Sequence, residues 1–205
     1  MMNYKWFILF ILLIAFKAHS QTPDYASRVN PFIGTGGTGH TFPGAVVPFG
    51  MVQLSPDTRI DGSWEGCSGY YHADSVIYGF SHTHLSGTGV SDYGDILLMP
   101  TTGEPSLKNK DYSSHFSHLT EKASPGFYQV HLDDDHITAE LTATTRVGIH
   151  RYAFPKTDKA NVIIDLLHRD KTLSSNITII DTVTNIGYRV SEAWDREHYD
   201  YFALP

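Results

Sequence analysis

Residues 128–144 read YQVHLDDDHITAELTAT, with Tyr128, Val130 and Leu132 alternating with Gln129, His131 and Asp133. After the aspartates, Ile137, Ala139, Leu141 and Ala143 alternate with Thr138, Glu140, Thr142 and Thr144. Side chains of an extended chain project to opposite faces in turn, so a period of two gives each segment one apolar and one wet face. Asp133-Asp134-Asp135 cannot pack in a core and turns the chain, which makes the two segments a hairpin.

Outward from the hairpin the β pattern continues. RVGIHRYAF over 146–154 predicts a further strand, and NVIIDLLH over 161–168 is apolar enough for a strand buried on both faces. Residues 175–180 and 184–190 predict another pair, turning near Asn185-Ile186-Gly187, and the only weak helix candidate lies around 191–199. Short strands separated by turn signals predict an all-β fold, an antiparallel β-sandwich.

Residues 1–20, MMNYKWFILFILLIAFKAHS, have a basic start at Lys5, an apolar run too short to span a bilayer comfortably, and small residues at Ala18 and Ser20. They predict a cleaved signal peptide, a product beginning at Gln21, and a secreted or periplasmic location. Residues 21–205 are then expected to be one sandwich domain, incomplete at its C-terminal end, with no second apolar run long enough to cross a membrane. Loss of Lys5 and Lys17 leaves a net charge near −9, which argues against nucleic acid as a partner. With Cys67 as the single cysteine, no internal disulfide can staple the fold.

The first third differs in kind: from Pro31 to Pro100 it is rich in glycine, proline, aromatics, histidine and small hydroxyls. Gly34, Gly36 and Gly39 satisfy G-x-G-x-x-G, but Pro43 and Pro48 stand where a phosphate-binding helix would run. A nucleotide loop is therefore rejected. His82 and His84 share a face of an extended chain, and His40, Asp92 or Asp95 could complete a metal set. Beside so many hydroxyls these histidines are read as loop supports, and no metal ligand is assigned. Trp64, Tyr70, Tyr71 and Phe80 near acids and histidines suit a sugar, whose C–H face packs on an aromatic plane while its hydroxyls take hydrogen bonds.

The runs NPFIGTGGTGHTFPGAVVPFGMVQLSPDT (30–58), WEGCSGYYH (64–72), GFSHTHLSGTGVSDYGDILLMP (79–100), SPGFYQV (124–130) and ELTATTRVGIHRY (140–152) resemble the N-terminal part of glycoside hydrolase family 92, the secreted bacterial α-mannosidases. The resemblance implies a galactose-mutarotase-like (supersandwich) N-terminal domain of a calcium-dependent, inverting exo-α-mannosidase. Its substrates would be α-mannosides such as N-glycans or mannan. It also implies a C-terminal (α/α)₆ barrel, beyond this chain, that supplies the catalytic acid and base and the main calcium ligands. No catalytic residue is therefore assigned here, and the chain by itself is expected to be inactive. Gly36, Gly37, Trp64, Cys67, His84 and Asp92 are expected to form or support one wall of the sugar pocket. The alternative is a stand-alone carbohydrate-binding sandwich.

Overall fold

The computed structural model describes residues 23–204, so the expected signal peptide lies outside them. The hairpin forms as its alternation requires. Strand β8 (Phe127–Leu132) pairs antiparallel with β9 (Ile137–Ala143), placing Tyr128 opposite Leu141, Val130 opposite Ala139 and Leu132 opposite Ile137. All six side chains are buried. The aspartates between the strands also bind the rest of the fold. Asp135 accepts hydrogen bonds from the Thr102 amide and hydroxyl, and Asp134 accepts from the His115 amide.

β7 (Lys122–Ser124) and β10 (Gly148–Ala153) complete one sheet in the order β10-β9-β8-β7. A five-stranded antiparallel sheet faces it. This sheet is built from β1 (Ala45–Val46), β2 (Gln53–Asp57), β4 (Gly79–Ser81), β5 (Leu97–Thr102) and β11 (Ala160–Asp165), adjacent in that order. Ala45, Leu54, Phe80, Leu97, Met99 and Ile163 from this sheet and Tyr128, Val130, Leu132, Ile137, Ala139 and Leu141 from the other form one core. The domain is thus an antiparallel β-sandwich, as the period-two pattern requires. β3 (Val76–Ile77) pairs with β6 (Ser114–His115), just after the one-turn helix α1 (Asn109–Tyr112). A third sheet comprises β12 (Lys171–Ile179), β13 (Asn185–Glu192) and β14 (His198–Leu204).

Three sequence expectations need correction. β11 is not buried on both faces: Val162 is 48% exposed, because β11 is an edge strand whose outer face opens on a groove that β10 and β14 also line. Asn185-Ile186-Gly187 lies within β13; the turn falls earlier, where the Asp181 carboxylate accepts from the Val183 and Thr184 amides. Residues 191–199 form no helix but the β13–β14 hairpin, with Ser191 opposite His198.

Arg189 ties the third sheet to the sandwich. Its buried guanidinium donates to the Leu166 and Asp170 carbonyls and pairs with the buried Asp95 carboxylate. Burial pulls its pKa down to about 10, which leaves it a cation at neutral pH.

Candidate functional site: a glycine and tryptophan loop cluster over a buried charge network

The sandwich holds its long loops together at one place. Residues 30–41 turn back on themselves, the Thr41 amide donating to the Gly34 carbonyl. A Cβ at Gly39 would lie 2.2 Å from the Gly34 carbonyl oxygen, so the chain can cross itself only without a side chain there. Gly36 and Gly37 face outward, and a Cβ at Gly37 would meet nothing within 4 Å. No helix follows this loop, so the rejection of a phosphate site agrees with the fold. Two contacts join the loop to the Trp64 segment: the Ser68 hydroxyl donates to the Thr41 carbonyl, and the His72 amide to the Thr35 carbonyl.

Trp64 is 55% exposed, with the His40 ring edge-on at 4.4 Å. His40 is buried in a left-handed conformation (φ 52°), its Nε2 lacks a hydrogen-bond partner, and its carbonyl accepts from the Gly87 amide. A Cβ at Gly89 would come within 3.0 Å of the indole nitrogen. The indole is therefore a plate at the loop surface, seated between the 85–91 loop and the glycine-rich loop.

Beneath it lies a charged layer. Cys67 is buried, and desolvation pushes its thiol above the ordinary range, so it is no nucleophile at neutral pH. Its carbonyl accepts from Arg169, which also donates to the Ser91 hydroxyl and lies 3.7 Å from Asp57. Burial by itself would raise the Asp57 pKa; His84, Arg169 and His168 override it and hold the carboxyl below its ordinary value. Gly69 (φ 92°) is required here, since a Cβ would lie 2.2 Å from Asp57 Oδ1.

His84 Nε2 is 3.0 Å from the Ser81 hydroxyl and 3.2 Å from Asp57 Oδ1, a set of residue types that invites comparison with a hydrolase triad. A triad needs serine and acid on opposite ring nitrogens, whereas His84 Nδ1 is spent on the Gln53 carbonyl at 2.7 Å. All three residues are also buried. The group is a structural brace.

His82 points to other neighbours, donating from Nδ1 to the Ile96 carbonyl and facing His150 across 3.1 Å. Burial lowers the pKa of both rings, so they face one another neutral. His82 and His84 thus share no ligand point. Asp92 accepts from the Tyr93 and Asp195 amides and Asp95 pairs with Arg189, both buried, so neither can trade protons with a substrate.

Of the residues expected at a sugar wall, the structure leaves Gly36, Gly37 and Trp64 at the surface. Cys67, His84 and Asp92 are buried. The sequence pointed to His40 only as a possible metal ligand and gave no site role to Asp57, Gly89 or Arg169. Arg169 had a signal: a cation directly after an apolar run has to find a partner inside the fold.

The domain is an antiparallel sandwich that carries an exposed indole on long, glycine-rich, internally braced loops. The Glycosyl hydrolase family 92 N-terminal domain matches residues 28–204, and the chain belongs to that family. The family GH92 α-mannosidase BT3965 from Bacteroides thetaiotaomicron is 40% identical with a TM-score of 0.82, covering 87% of this chain and 24% of its own in its complex with mannoimidazole. The inverting mannosidase BT2199 from Bacteroides thetaiotaomicron VPI-5482 is 30% identical, with a TM-score of 0.72 over 89% of this chain and 25% of its own. A protein of Arthroderma benhamiae described as an uncharacterized secreted glycosidase is 32% identical over 161 residues, 75% of this chain and 20% of that protein. The chain thus spans about a quarter or less of the length of these relatives.

Proposed function

We propose that this domain forms one wall of the sugar cleft of a secreted, inverting exo-α-mannosidase acting on α-mannosides such as N-glycans or mannan. The observation that carries this reading is Trp64, a half-exposed indole locked edge-on by His40 beside an open glycine-rich loop, in a chain of family 92. An apolar plate with accessible backbone around it suits a hexose, whose axial C–H groups stack while its hydroxyls meet amides and carbonyls. Support for mannose comes from the solved relatives, an α-mannosidase in complex with mannoimidazole and an inverting mannosidase. Support for export comes from the relative described as secreted.

Inversion uses two carboxylates about 6.5–9.5 Å apart, one protonating the leaving oxygen and the other activating water. Asp92 and Asp95 are buried and engaged, and Glu65 faces Arg59 at 3.7 Å. In this reading the acid and base belong to a C-terminal (α/α)₆ barrel of the whole protein.

Calcium takes six to eight oxygen ligands. Among the described residues the groups with metal-ligand spacing are His72, His118 and Glu121, and Asp95, His198 and Asp200. The first supplies two nitrogens, and the second already holds the Arg189 cation on Asp95. Neither fits calcium, and in this reading calcium takes its ligands outside residues 23–204.

In the whole protein, Trp64→Ala should lower kcat/KM for α-mannosides by roughly 5- to 150-fold, the loss of about 1–3 kcal/mol of stacking. The melting temperature should barely move, because the ring is half exposed. Unchanged kcat/KM per folded molecule overturns the reading.

A further inference from the structure

Away from Trp64, the structure gathers two imidazoles and a carboxylate at the surface. His72 ends the Trp64 segment, and His118 sits in a tight turn where the Thr120 amide donates to the Ser117 carbonyl and the Glu121 amide to the His118 carbonyl. One ligand atom from each of His72, His118 and Glu121 lies within 4.8 Å of the other two. The imidazoles stack with centroids 4.2 Å apart, and His118 Nδ1 is 2.6 Å from Glu121 Oε2.

We propose that His72, His118 and Glu121 bind a divalent transition-metal ion of the zinc class. Two imidazole nitrogens and one carboxylate oxygen form a set that zinc accepts while keeping a fourth position for water, whereas calcium and magnesium prefer oxygen alone. The partners around the ligands are already in place. Glu121 is buried and accepts from the Tyr70 hydroxyl at 3.0 and 3.1 Å and from the Tyr128 hydroxyl at 2.6 Å, which fixes the carboxylate plane. Phe116 packs edge-on against His118 at 5.1 Å, and Phe32 lies 6.0 Å from His72. Such supporting contacts raise metal affinity by holding ligands in position before the ion arrives.

Both histidines are exposed, so an ion can reach them from solvent. Without metal, the proton on His118 Nδ1 is shared with Glu121 Oε2. The ion takes the place of that proton, which leaves to solvent, and His118 and Glu121 become ligands. The occupied site would tie the 117–121 turn to His72, whose amide holds the glycine-rich loop at Thr35. The ion would therefore steady the loop that carries Gly36 and Gly37.

The test is zinc chloride titration of the untagged full chain by calorimetry, with copper(II) paramagnetic resonance as a second readout. One equivalent should bind, with a copper spectrum showing coupling to imidazole nitrogen. His72→Ala and His118→Ala should each weaken binding by roughly tenfold or more. Both are surface changes, and circular dichroism should report parent-like folding. His115→Ala, at an exposed histidine bonded to Asp134, should leave binding unchanged. Three results would overturn the proposal: no saturable binding, equal binding by the parent and both variants, or loss of binding in His198→Ala, which would move the ion to the Asp95 group.

Discussion

Asp170 lies in the charged layer below the loops with its Oδ2 buried and unpartnered. Desolvation pushes its pKa up to about 6 against the opposing pull of Arg169, and the nearby Asp92 and Asp57 add to the rise. A carboxyl whose folded pKa exceeds its unfolded value binds its proton more tightly in the native state. That contribution to stability is complete below about 3.9 and is lost as pH rises through 6. Asp170→Asn should therefore stabilise the chain at pH 8, by on the order of 1–3 kcal/mol after allowing for partial exposure, and by clearly less at pH 5. Urea unfolding of parent and variant at both pH values measures this, and a gain independent of pH would contradict it. Trp64 was legible as a candidate because large aromatics on loops are conspicuous. That His84 and Asp92 lie beneath the surface was not legible, since burial depends on residues far away in the chain.

Among the elements, the β8–β9 hairpin was the most readable, because its alternation and its aspartate turn are local properties. Adjacent residues on its two faces should differ sharply. Leu141→Ala opens a cavity in the shared core and should cost about 2–5 kcal/mol. Glu140 pairs across the strand with the exposed Arg151, and Glu140→Ala should cost less than about 1 kcal/mol. Chemical denaturation of the two variants checks the contrast, and equal costs would show that the two faces are not distinct. β11 misled because an apolar run does not reveal whether its strand is central or at an edge. The turn expected at Asn185-Ile186-Gly187 misled for a related reason: glycine also serves inside strands where backbones or rings approach closely, and Gly187 lies against Phe202.

At the scale of the molecule, buried polar groups tie the third sheet and the loops to the five-stranded sheet: Arg189 reaches Asp95, just before β5, and Leu166 and Asp170, just after β11, and Arg169 reaches Ser91 and Cys67. With Asp92 and Asp95 committed to this framework, the chain alone should release no mannose above background from a high-mannose glycan with calcium present. Assay beside the whole protein tests this, since general acid–base assistance by one placed side chain is typically worth about 10²–10⁴-fold. Equal turnover by the two would place the catalytic pair within these residues. The sequence alone was enough for the strand periods, the acidic balance and the absence of a phosphate loop, because each depends on neighbours in the chain or on composition. The surface position of Trp64, the Ser81, Gln53 and Asp57 partners of His84 and the meeting of His72, His118 and Glu121 came only with the tertiary fold. Those arrangements rest on contacts between residues as far apart as Tyr70 and Glu121, 51 positions away, or Arg169 and Cys67, 102 positions away, and no local pattern encodes such pairings.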